Sequence, residues 1–295
     1  MERATPTVYT SISCNGRHVY HKEFDKYRPG FMIFTCNCAL MTSNGTTSYI
    51  IAGSVTEKGY KEGVGTSARF ENIYEFTQIS KKNVVVVDYH NHCLRLIDRS
   101  SNSTTVFAGQ CTYGGHKDGR QGQFERPEAL LVDKRNESQL IIAGYGYKTL
   151  RTLDIQTRVM GTFTKMSYSM NHLTQDWKGD LYTTNRYAVF KITYDTKILT
   201  LISGSPDTRG YNDASLLDSI FGYPRELLFI GRDTLLVVDG DNSQLRLIDL
   251  KEDRVTTLIS TSGHLQSPDS LLIANAREFY VGAAYNILKF ECKYC

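Results

Sequence analysis

The sequence contains no apolar run that approaches the length of a membrane-spanning segment. Its first residues, Met1 to Pro6, carry no apolar stretch either, so they do not form a signal peptide. Tryptophan occurs once, whereas 19 Tyr and 13 Phe supply an aromatic content that suits strands. We expect no membrane span. The chain is either cytosolic or a secreted protein whose signal has been removed.

Neither a charge excess nor a standard catalytic motif is present. The 34 Lys and Arg residues nearly balance 31 Asp and Glu residues, and no basic cluster interrupts that balance. A protein that reads the nucleic-acid backbone is normally more basic, so we expect no nucleic-acid partner. The Gly-x-Ser-x-Gly, His-Glu-x-x-His and Gly-Lys-Ser/Thr motifs are absent. No activity can therefore be assigned from a motif.

Cysteines and glycosylation sequons favour secretion. Seven Cys residues gather near the chain ends and around one hairpin, a usage that favours an oxidising compartment. Asn-x-Ser/Thr sequons begin at Asn44, Asn102 and Asn136. We expect a secreted glycoprotein whose signal peptide has been removed.

One hairpin sequence occurs twice in register, at 86–98 and 237–249. In each copy an Asp is followed by Asn three residues later and by Arg four residues after that, as in Asp88, Asn91 and Arg95. An apolar run, a turn rich in Asp and Asn, and an alternating run predict two antiparallel strands joined by a tight loop. The recurrence at a fixed spacing predicts a repeat fold.

The segments around these hairpins repeat as well. A small residue and Gly end the next strand, a Gly-rich loop follows, and a Phe leads into a further strand, as at Gly109, 115–119 and Phe124. This order resembles the NHL repeats, whose pattern runs Ala-Gly, Gly-x-x-Asp-Gly, Phe-x-x-Pro, Asp-x-x-Asn and Ile-Arg. The hairpin position aligned with Asn91 is occupied six times, by Asn37, Asn91, Tyr147, Tyr187, Asn242 and Tyr285.

The resemblance implies an all-β, six-bladed β-propeller that occupies residues 1–295 as a single domain. The last hairpin, Glu278 to Phe290, runs out before the fourth strand of its blade, whereas residues 6–12 precede the first blade. Pairing these segments gives a three-plus-one closure that removes an open sheet edge. We therefore expect the two chain ends to meet.

In such a propeller the innermost strand of each blade starts at the top face, after the Phe-x-x-Pro step, and rings the mouth of a central channel. The residues expected there form a polar ligand site. They are Tyr74, Glu75, Glu128, Asn171, His172, Arg225, Glu226 and Asp269. His172 is the only histidine that the alignment places at this mouth, and no metal ligand set is assigned. The cofactor stays unknown, with a structural or catalytic calcium in the channel as a possibility.

Two functions compete. The first is a recognition propeller that binds an extracellular protein, a glycan or a small molecule on its top face, where Tyr-rich loops supply contact area. The second is a pocket enzyme that resembles six-bladed hydrolases, lyases or oxidative enzymes such as oxygenases and luciferases. In that case His172 is an acid–base group and Arg225 an electrostatic clamp. The base or metal ligand is one of Glu75, Glu128, Glu226 and Asp269. The fold cannot choose between them.

The cysteines and sequons fall on opposite faces of this predicted propeller. Cys93 lies in a hairpin loop and Cys111 just beyond the same blade's last strand, so we expect a Cys93–Cys111 disulfide on the top face. One of Cys36 and Cys38 is expected to pair with Cys14, with Cys38 as the first candidate. The pairing of Cys36, Cys38, Cys292 and Cys295 is left open. The three sequons fall in loops of the bottom face.

Overall fold

The computed structural model describes residues 6–9, 19–146, 148–260, 267–275, 278–283 and 287–291. Within these ranges the regular structure is β-strand, with one short 3₁₀ turn at Gly65–Ser67. No helix in the described part of the chain is long and apolar enough to cross a membrane. The fold class is therefore all-β, as the sequence predicts.

The strands form six small sheets, and the chain is a six-bladed β-propeller. Contacts group the chain into two compact units, Thr10–Ser169 and Met170–Cys295 together with Met1–Tyr9. The interpretation of residues 1–295 as a single domain stays a prediction.

The unit Thr10–Ser169 contains blades 1 to 3. Blade 1 consists of β2 (Lys22–Phe24), β3 (Met32–Cys36), β4 (Ala39–Ser43) and β5 (Ser48–Gly53). Blade 2 consists of β7 (Ile73–Gln78), β8 (Asn83–Asp88), β9 (Cys93–Asp98) and β10 (Ser103–Ala108), with the short β6 (Gly63–Val64) added beside β10. Blade 3 consists of β11 (Pro127–Val132), β12 (Gln139–Gly144), β13 (Thr149–Asp154) and β14 (Met160–Lys165).

The second unit contains blades 4 to 6. Blade 4 consists of β15 (His172–Gln175), β16 (Leu181–Thr184), β17 (Ala188–Ile192) and β18 (Leu199–Gly204). Blade 5 consists of β19 (Pro224–Phe229), β20 (Thr234–Asp239), β21 (Gln244–Asp249) and β22 (Arg254–Ser260). Blade 6 consists of β23 (Ser270–Asn275), β24 (Glu278–Gly282), β25 (Ile287–Glu291) and β1 (Pro6–Tyr9).

Blade 6 has the predicted closure. Strand β1 pairs antiparallel with β25, with Pro6 opposite Phe290 and Tyr9 opposite Ile287. The amino-terminal strand thus covers the edge that β25 would otherwise expose, and the two chain ends meet as expected. Residues 10–12 of the predicted closing segment lie outside the described residues.

The repeated Asp, Asn and Arg form a buried network that holds each hairpin. In blade 2, Asp88 Oδ1 accepts a hydrogen bond from the Glu71 N–H at 2.8 Å. Its Oδ2 accepts from Asn91 Nδ2 at 2.9 Å and from Arg95 Nη1 at 3.2 Å. Both Asp88 and Arg95 are fully buried, so their ion pair needs these additional hydrogen bonds to offset desolvation. The motif therefore fixes the turn.

Blade 5 repeats this network in the second unit. Asp239 Oδ1 accepts from the Gly222 and Tyr223 N–H groups, while its Oδ2 accepts from Asn242 Nδ2 at 2.8 Å and Arg246 Nη1 at 3.2 Å. Hydrophobic clusters fill the space between neighbouring blades within each unit. Phe70 and Phe76 lie in the cluster of blades 1 and 2. The recurring Phe of the repeat is therefore a core residue.

One disulfide prediction is confirmed and another is wrong. Cys93 and Cys111 are bonded, as expected. Cys38, however, is a free and fully buried thiol, whereas Cys36 is disulfide-bonded. The Cys38 side chain packs in the core cluster of blades 1 and 2, and burial raises the pKa of its thiol. Cys14, Cys292 and Cys295 lie outside the described residues.

The three sequons occupy the loops that the repeat predicts. Asn44 lies between β4 and β5, Asn102 between β9 and β10, and Asn136 between β11 and β12. In an antiparallel blade these loops lie at one end of the strands, and all three Asn residues are exposed within the unit Thr10–Ser169. Their glycosylation stays a prediction.

Candidate functional site

The predicted site residues lie at the starts of the first strands of the blades. Strand β7 contacts β11, and β19 contacts both β15 and β23, so the first strands are the innermost ones within each unit. Tyr74 and Glu75 lie in β7, Glu128 in β11, and Arg225 and Glu226 in β19. Asn171 and Asp269 immediately precede β15 and β23, and His172 begins β15. That these residues ring one channel mouth, and their roles there, stay predictions.

An open cleft of about 310 Å³ lies at these strand starts in the second unit. Its described lining residues come from the hairpin turns of blades 4 and 5 and from the approach to β19. They are Arg186, Tyr187, Tyr223, Arg225 and Asp241. Of these, only Arg225 belongs to the predicted site set. Arg186 and Asp241 lie in the hairpin turns of blades 4 and 5, where the sequence predicts no site residue.

Arg225 is held in place from several sides. Its Nε lies 2.8 Å from Asp269 Oδ1, and the Asp269 side chain is 2% exposed. The guanidinium also lies over the Tyr223 ring, with Cζ 4.7 Å from the ring centroid, a cation–π contact. A Cβ on Gly240 would lie 2.9 Å from Arg225 Nε, so the glycine leaves the space that this side chain uses. The Arg225 side chain itself remains 35% exposed, at the cleft.

The cleft has a positive balance of charge. Arg225 is paired with Asp269, and Asp241 is paired with Arg209, whose Nη2 lies 3.0 Å from Asp241 Oδ2. Arg186 adds a further positive charge to the lining. Guanidinium groups bind carboxylates and sulfates through parallel N–H donors, and Tyr rings supply apolar contact area. This arrangement can bind an organic anion.

His172 and Glu226 form a buried pair beside the cleft strands. His172 Nε2 lies 3.4 Å from Glu226 Oε1, with side-chain exposures of 10% and 2%. His172 Nδ1 accepts from the Leu227 N–H at 3.5 Å, and Glu226 Oε2 accepts from the Leu271 N–H of the next blade. Neither residue is among the described lining residues of the cleft. The pair therefore joins blade 4 to blade 5 through His172 and blade 5 to blade 6 through Glu226.

The unit Thr10–Ser169 contains a similar pair, and sequence reasoning missed half of it. His21 Nδ1 lies 3.9 Å from Glu75 Oε1, and Glu75 Oε2 accepts from the Leu130 N–H of the next blade at 3.2 Å. The expectation that His172 is the only histidine at an inner-strand start is therefore wrong. The spacing held the missing signal, because His21 precedes Asn37 by the same interval by which Glu75 precedes Asn91.

Aromatic side chains surround the strand start in blade 2. The Tyr74 ring stacks on Tyr89 at a centroid distance of 4.2 Å and contacts Tyr20 at 4.6 Å. Burial, together with the negative charge of Glu128, raises the pKa of Tyr89. Tyr89 therefore stays a neutral phenol. Glu128 belongs to this unit, whereas the other two catalytic candidates, His172 and Arg225, belong to the second unit.

Neither unit by itself fits the calcium that the sequence left open. Calcium takes six to eight oxygen ligands. In the second unit the two carboxylates at the inner-strand starts, Glu226 and Asp269, are engaged by His172 and Arg225. In the first unit Glu75 faces His21 and receives a main-chain N–H.

Comparisons with known proteins support the fold. No family model and no curated protein matches the sequence. Among solved structures, an auxiliary nutrient binding protein from Bacteroides ovatus superposes with a TM-score of 0.75 at 12% identity, over 98% of this chain and 77% of that one. Virginiamycin B lyase from Staphylococcus aureus superposes with a TM-score of 0.64 at 8% identity, over 99% of each chain. One neighbour is named for binding and the other for catalysis.

Proposed function

We propose that this protein is a binding propeller whose cleft around Arg225 takes a small organic anion, with an acidic sugar as the best-fitting class. The observation that carries the proposal is the joint presence of Arg186, Arg225, Tyr187 and Tyr223 on one open cleft. Its volume of about 310 Å³ lies at the lower end of the range of small-molecule sites. Arg donors select the acidic group, and Tyr rings contact the sugar faces.

The geometry favours binding over catalysis. The histidine of the catalytic alternative, His172 of blade 4, accepts a hydrogen bond from the Leu227 N–H and faces Glu226, both in blade 5. Acid–base catalysis requires such a group within hydrogen-bond reach of the substrate. Arg225 is instead exposed at the cleft and oriented by a buried Asp269. A preoriented guanidinium beside aromatic rings is typical of a binding site.

Secretion and glycosylation are part of the same proposal. The Cys93–Cys111 disulfide suits an oxidising compartment. The sequon hydroxyls of Thr46 and Ser138 donate to Asn44 Oδ1 and Asn136 Oδ1, and both Asn residues are exposed. We expect glycans at Asn44, Asn102 and Asn136 after expression through a secretory pathway. Intact mass before and after enzymatic deglycosylation measures their number.

We also place the chain among the NHL-like propellers, as one domain. The support is the repeated network of Asp, Asn and Arg in blades 2 and 5. A single cooperative unfolding transition, detected identically by far-UV circular dichroism and tyrosine fluorescence, is expected for one domain. Two separate transitions would contradict it.

Isothermal titration calorimetry with glucuronate and galacturonate, against glucose and galactose, tests the binding function. We expect binding of an acidic sugar and none of its neutral counterpart. Arg225→Gln should weaken it by about 10- to 100-fold, the worth of a charged hydrogen bond of about 1.5–3 kcal/mol. Arg232→Gln is the matched control, because it removes the same charge just beyond the other end of β19, where Arg232 lies over Trp177.

Three results would overturn the proposal. The first is equal binding of acidic and neutral sugars, the second is equal loss in Arg225→Gln and Arg232→Gln, and the third is no binding at all. The enzyme alternative would be supported instead if the protein turned over a substrate, and if His172→Gln abolished that turnover while Arg225→Gln left the turnover unchanged.

A further inference from the structure

The outer strand of a blade has one edge that points away from the rest of its sheet. In blade 2, β6 covers this edge, where Gly63 pairs with Thr104 and Glu62 Oε1 accepts a hydrogen bond from the Val106 N–H at 2.8 Å. Glu62 and Gly63 belong to the Gly-rich segment 54–72 between β5 and β7. An acidic side chain and the main chain of the next residue therefore occupy the edge of β10.

Blade 5 repeats this arrangement. The Val255 N–H donates to Ala214 O at 2.8 Å, and the Thr257 N–H donates to Asp213 Oδ2 at 2.8 Å. The two edges are equivalent by register, because the arginine of the buried network lies opposite Val106 in blade 2 and opposite Thr257 in blade 5. The outer strands of both blades are thus covered at the same two positions.

Blade 3 uses the same residue types. The Met160 N–H donates to Gly119 O at 3.1 Å, and the Thr162 hydroxyl donates to Asp118 Oδ2 at 3.2 Å. The covering pairs of the three blades share one pattern, an acidic residue followed by a small one. They are Glu62–Gly63, Asp118–Gly119 and Asp213–Ala214.

Blade 4 lacks the segment that supplies this pair. Residues 54–72, 109–126 and 205–223 precede the inner strands of blades 2, 3 and 5, whereas only residues 166–171 lie between β14 and β15. Segment 166–171 contains neither an acidic residue nor a glycine. The chain therefore brings no acidic–small pair to the outer strand of blade 4 from the equivalent place.

The positions left open in β18 are Leu199 and Leu201. Leu201 precedes the strand-ending Gly204 by the same interval by which Val106 precedes Gly109 in blade 2, and Leu199 lies two residues earlier. Within the part of the chain that the structure describes, only β17 hydrogen-bonds the main chain of these two leucines. An edge with open N–H and C=O groups can add another extended segment to the sheet.

The charge along this edge suits an acidic segment. Residues 198–204 are uncharged, so no carboxylate in the strand repels such a segment, and Lys197 directly precedes them. Ile198 is 59% exposed and offers apolar contact at the start of the edge. The edge therefore accepts the same chemistry that the other three blades supply from their own loops.

We propose that the outer edge of β18 binds an extended peptide of a partner protein, recognised by an acidic residue followed by a small one. The peptide pairs antiparallel with β18, as β6 pairs with β10. Its carboxylate accepts from the Leu201 N–H and its next C=O from the Leu199 N–H, the contacts that Asp213 and Ala214 make in blade 5. No described lining residue of the Arg225 cleft belongs to β18, so this surface is separate from the proposed sugar site.

The probe is a synthetic peptide copied from residues 59–66, which carries Glu62 and Gly63 as its one acidic–small pair. Added to protein labelled with ¹⁵N-leucine, it should shift the amide signals of Leu199 and Leu201 in a saturable way. The same peptide with Glu62→Gln should bind about fivefold to tenfold more weakly, because a neutral acceptor replaces a charged one. Equal binding of the two peptides, or no shift of these two signals, would overturn the proposal.

Two protein variants locate the contact. Leu201→Pro removes one of the two N–H donors and should abolish peptide binding, and proline is compatible with an outward N–H position of an edge strand. Arg225→Gln is the control and should leave peptide binding unchanged, whereas a loss there would place the peptide in the sugar cleft and contradict the proposal. The peptide comparison uses the wild-type protein, so it decides the outcome even if Leu201→Pro does not fold.

Sedimentation velocity of the protein alone examines a second copy as the occupant. We expect a monomer, with the edge of β18 open to the peptide. A dimer that dissociates in Leu201→Pro would assign this edge to another copy of the chain and would refute the peptide proposal.

Discussion

Blades 2 and 5 have the same internal frame and present different side chains from it. Each has a buried Asp–Asn–Arg network and an inner-strand Glu that accepts a main-chain N–H from the next blade, Leu130 for Glu75 and Leu271 for Glu226. The residue before that Glu differs. It is Tyr74 in blade 2 and Arg225 in blade 5.

A second position changes together with the first. Tyr89 follows the last residue of β8 in blade 2 and stacks on Tyr74, whereas Gly240 stands at the equivalent place in blade 5 and leaves room for Arg225. The glutamates therefore support the structure that the two blades share, whereas the residues before them determine which side chains a ligand contacts. The predicted site set contains residues of both kinds.

The largest effect on stability should come from the disulfide. Of blades 2 and 5, only blade 2 has one, and blade 5 has Gln244 at the position of Cys93. Cys93 and Cys111 are 18 residues apart. Replacing both by Ser should lower the free energy of unfolding by about 3 kcal/mol, measured by urea denaturation. Gln244→Ser is the control at the equivalent position of blade 5 and should lower the free energy of unfolding by less than the double Cys variant does, because it removes no covalent crosslink. Equal losses in the two variants would argue against a role for the crosslink.

The two glutamates should behave alike. Glu75→Ala and Glu226→Ala each leave a buried main-chain N–H without its acceptor, which costs about 1–3 kcal/mol. The Gln variants should cost less, since an amide oxygen still accepts that bond. Urea denaturation measures stability, and sugar binding is measured in parallel. If Glu226→Gln destroyed binding at unchanged stability, Glu226 would belong to the binding site and the comparison would fail.

The carboxylate of the blade 2 network should give a pH-dependent contribution. Burial raises the pKa of Asp88 from 3.8 to about 6, against the opposing effect of Asn91, the Glu71 N–H and Arg95. Because the folded protein binds this proton more tightly than the unfolded chain, the contribution of Asp88 to stability falls as pH rises from about 4 to about 6. The free energy of unfolding of the wild type minus that of Asp88→Asn should fall as pH rises across this window. A difference that rises there would refute the raised pKa.

The smallest expected effect concerns Gly240. In Gly240→Ala the new Cβ would lie 2.9 Å from Arg225 Nε, so the guanidinium must shift while the fold is kept. We expect weaker binding of the acidic sugar than in wild type, but a smaller loss than in Arg225→Gln. Calorimetry and the Tm separate the two effects. Unchanged affinity would show that Arg225 does not need this space.

Much of the fold could be predicted, because the residues of the repeat that contact one another lie close together in the sequence. Asp88, Asn91 and Arg95 meet within one hairpin, so their spacing alone predicts the turn. The inner-strand positions followed from the same spacing. Applied to Asn37, it would also have found His21. Cys38 could not be assigned, because the choice between two neighbouring cysteines depends on which side chain points into the core.

The sequence by itself determined the number of blades, the closure by the first strand, and the Cys93–Cys111 bond. These features depend on local turns and on one recurring spacing. Only the tertiary structure decided that Glu226 faces His172, that Gly240 makes room for Arg225, and that Arg186 and Asp241 line the same cleft. Those contacts join residues of different turns or blades. They depend on how the strands pack in three dimensions, and the repeat pattern of the sequence does not contain that information.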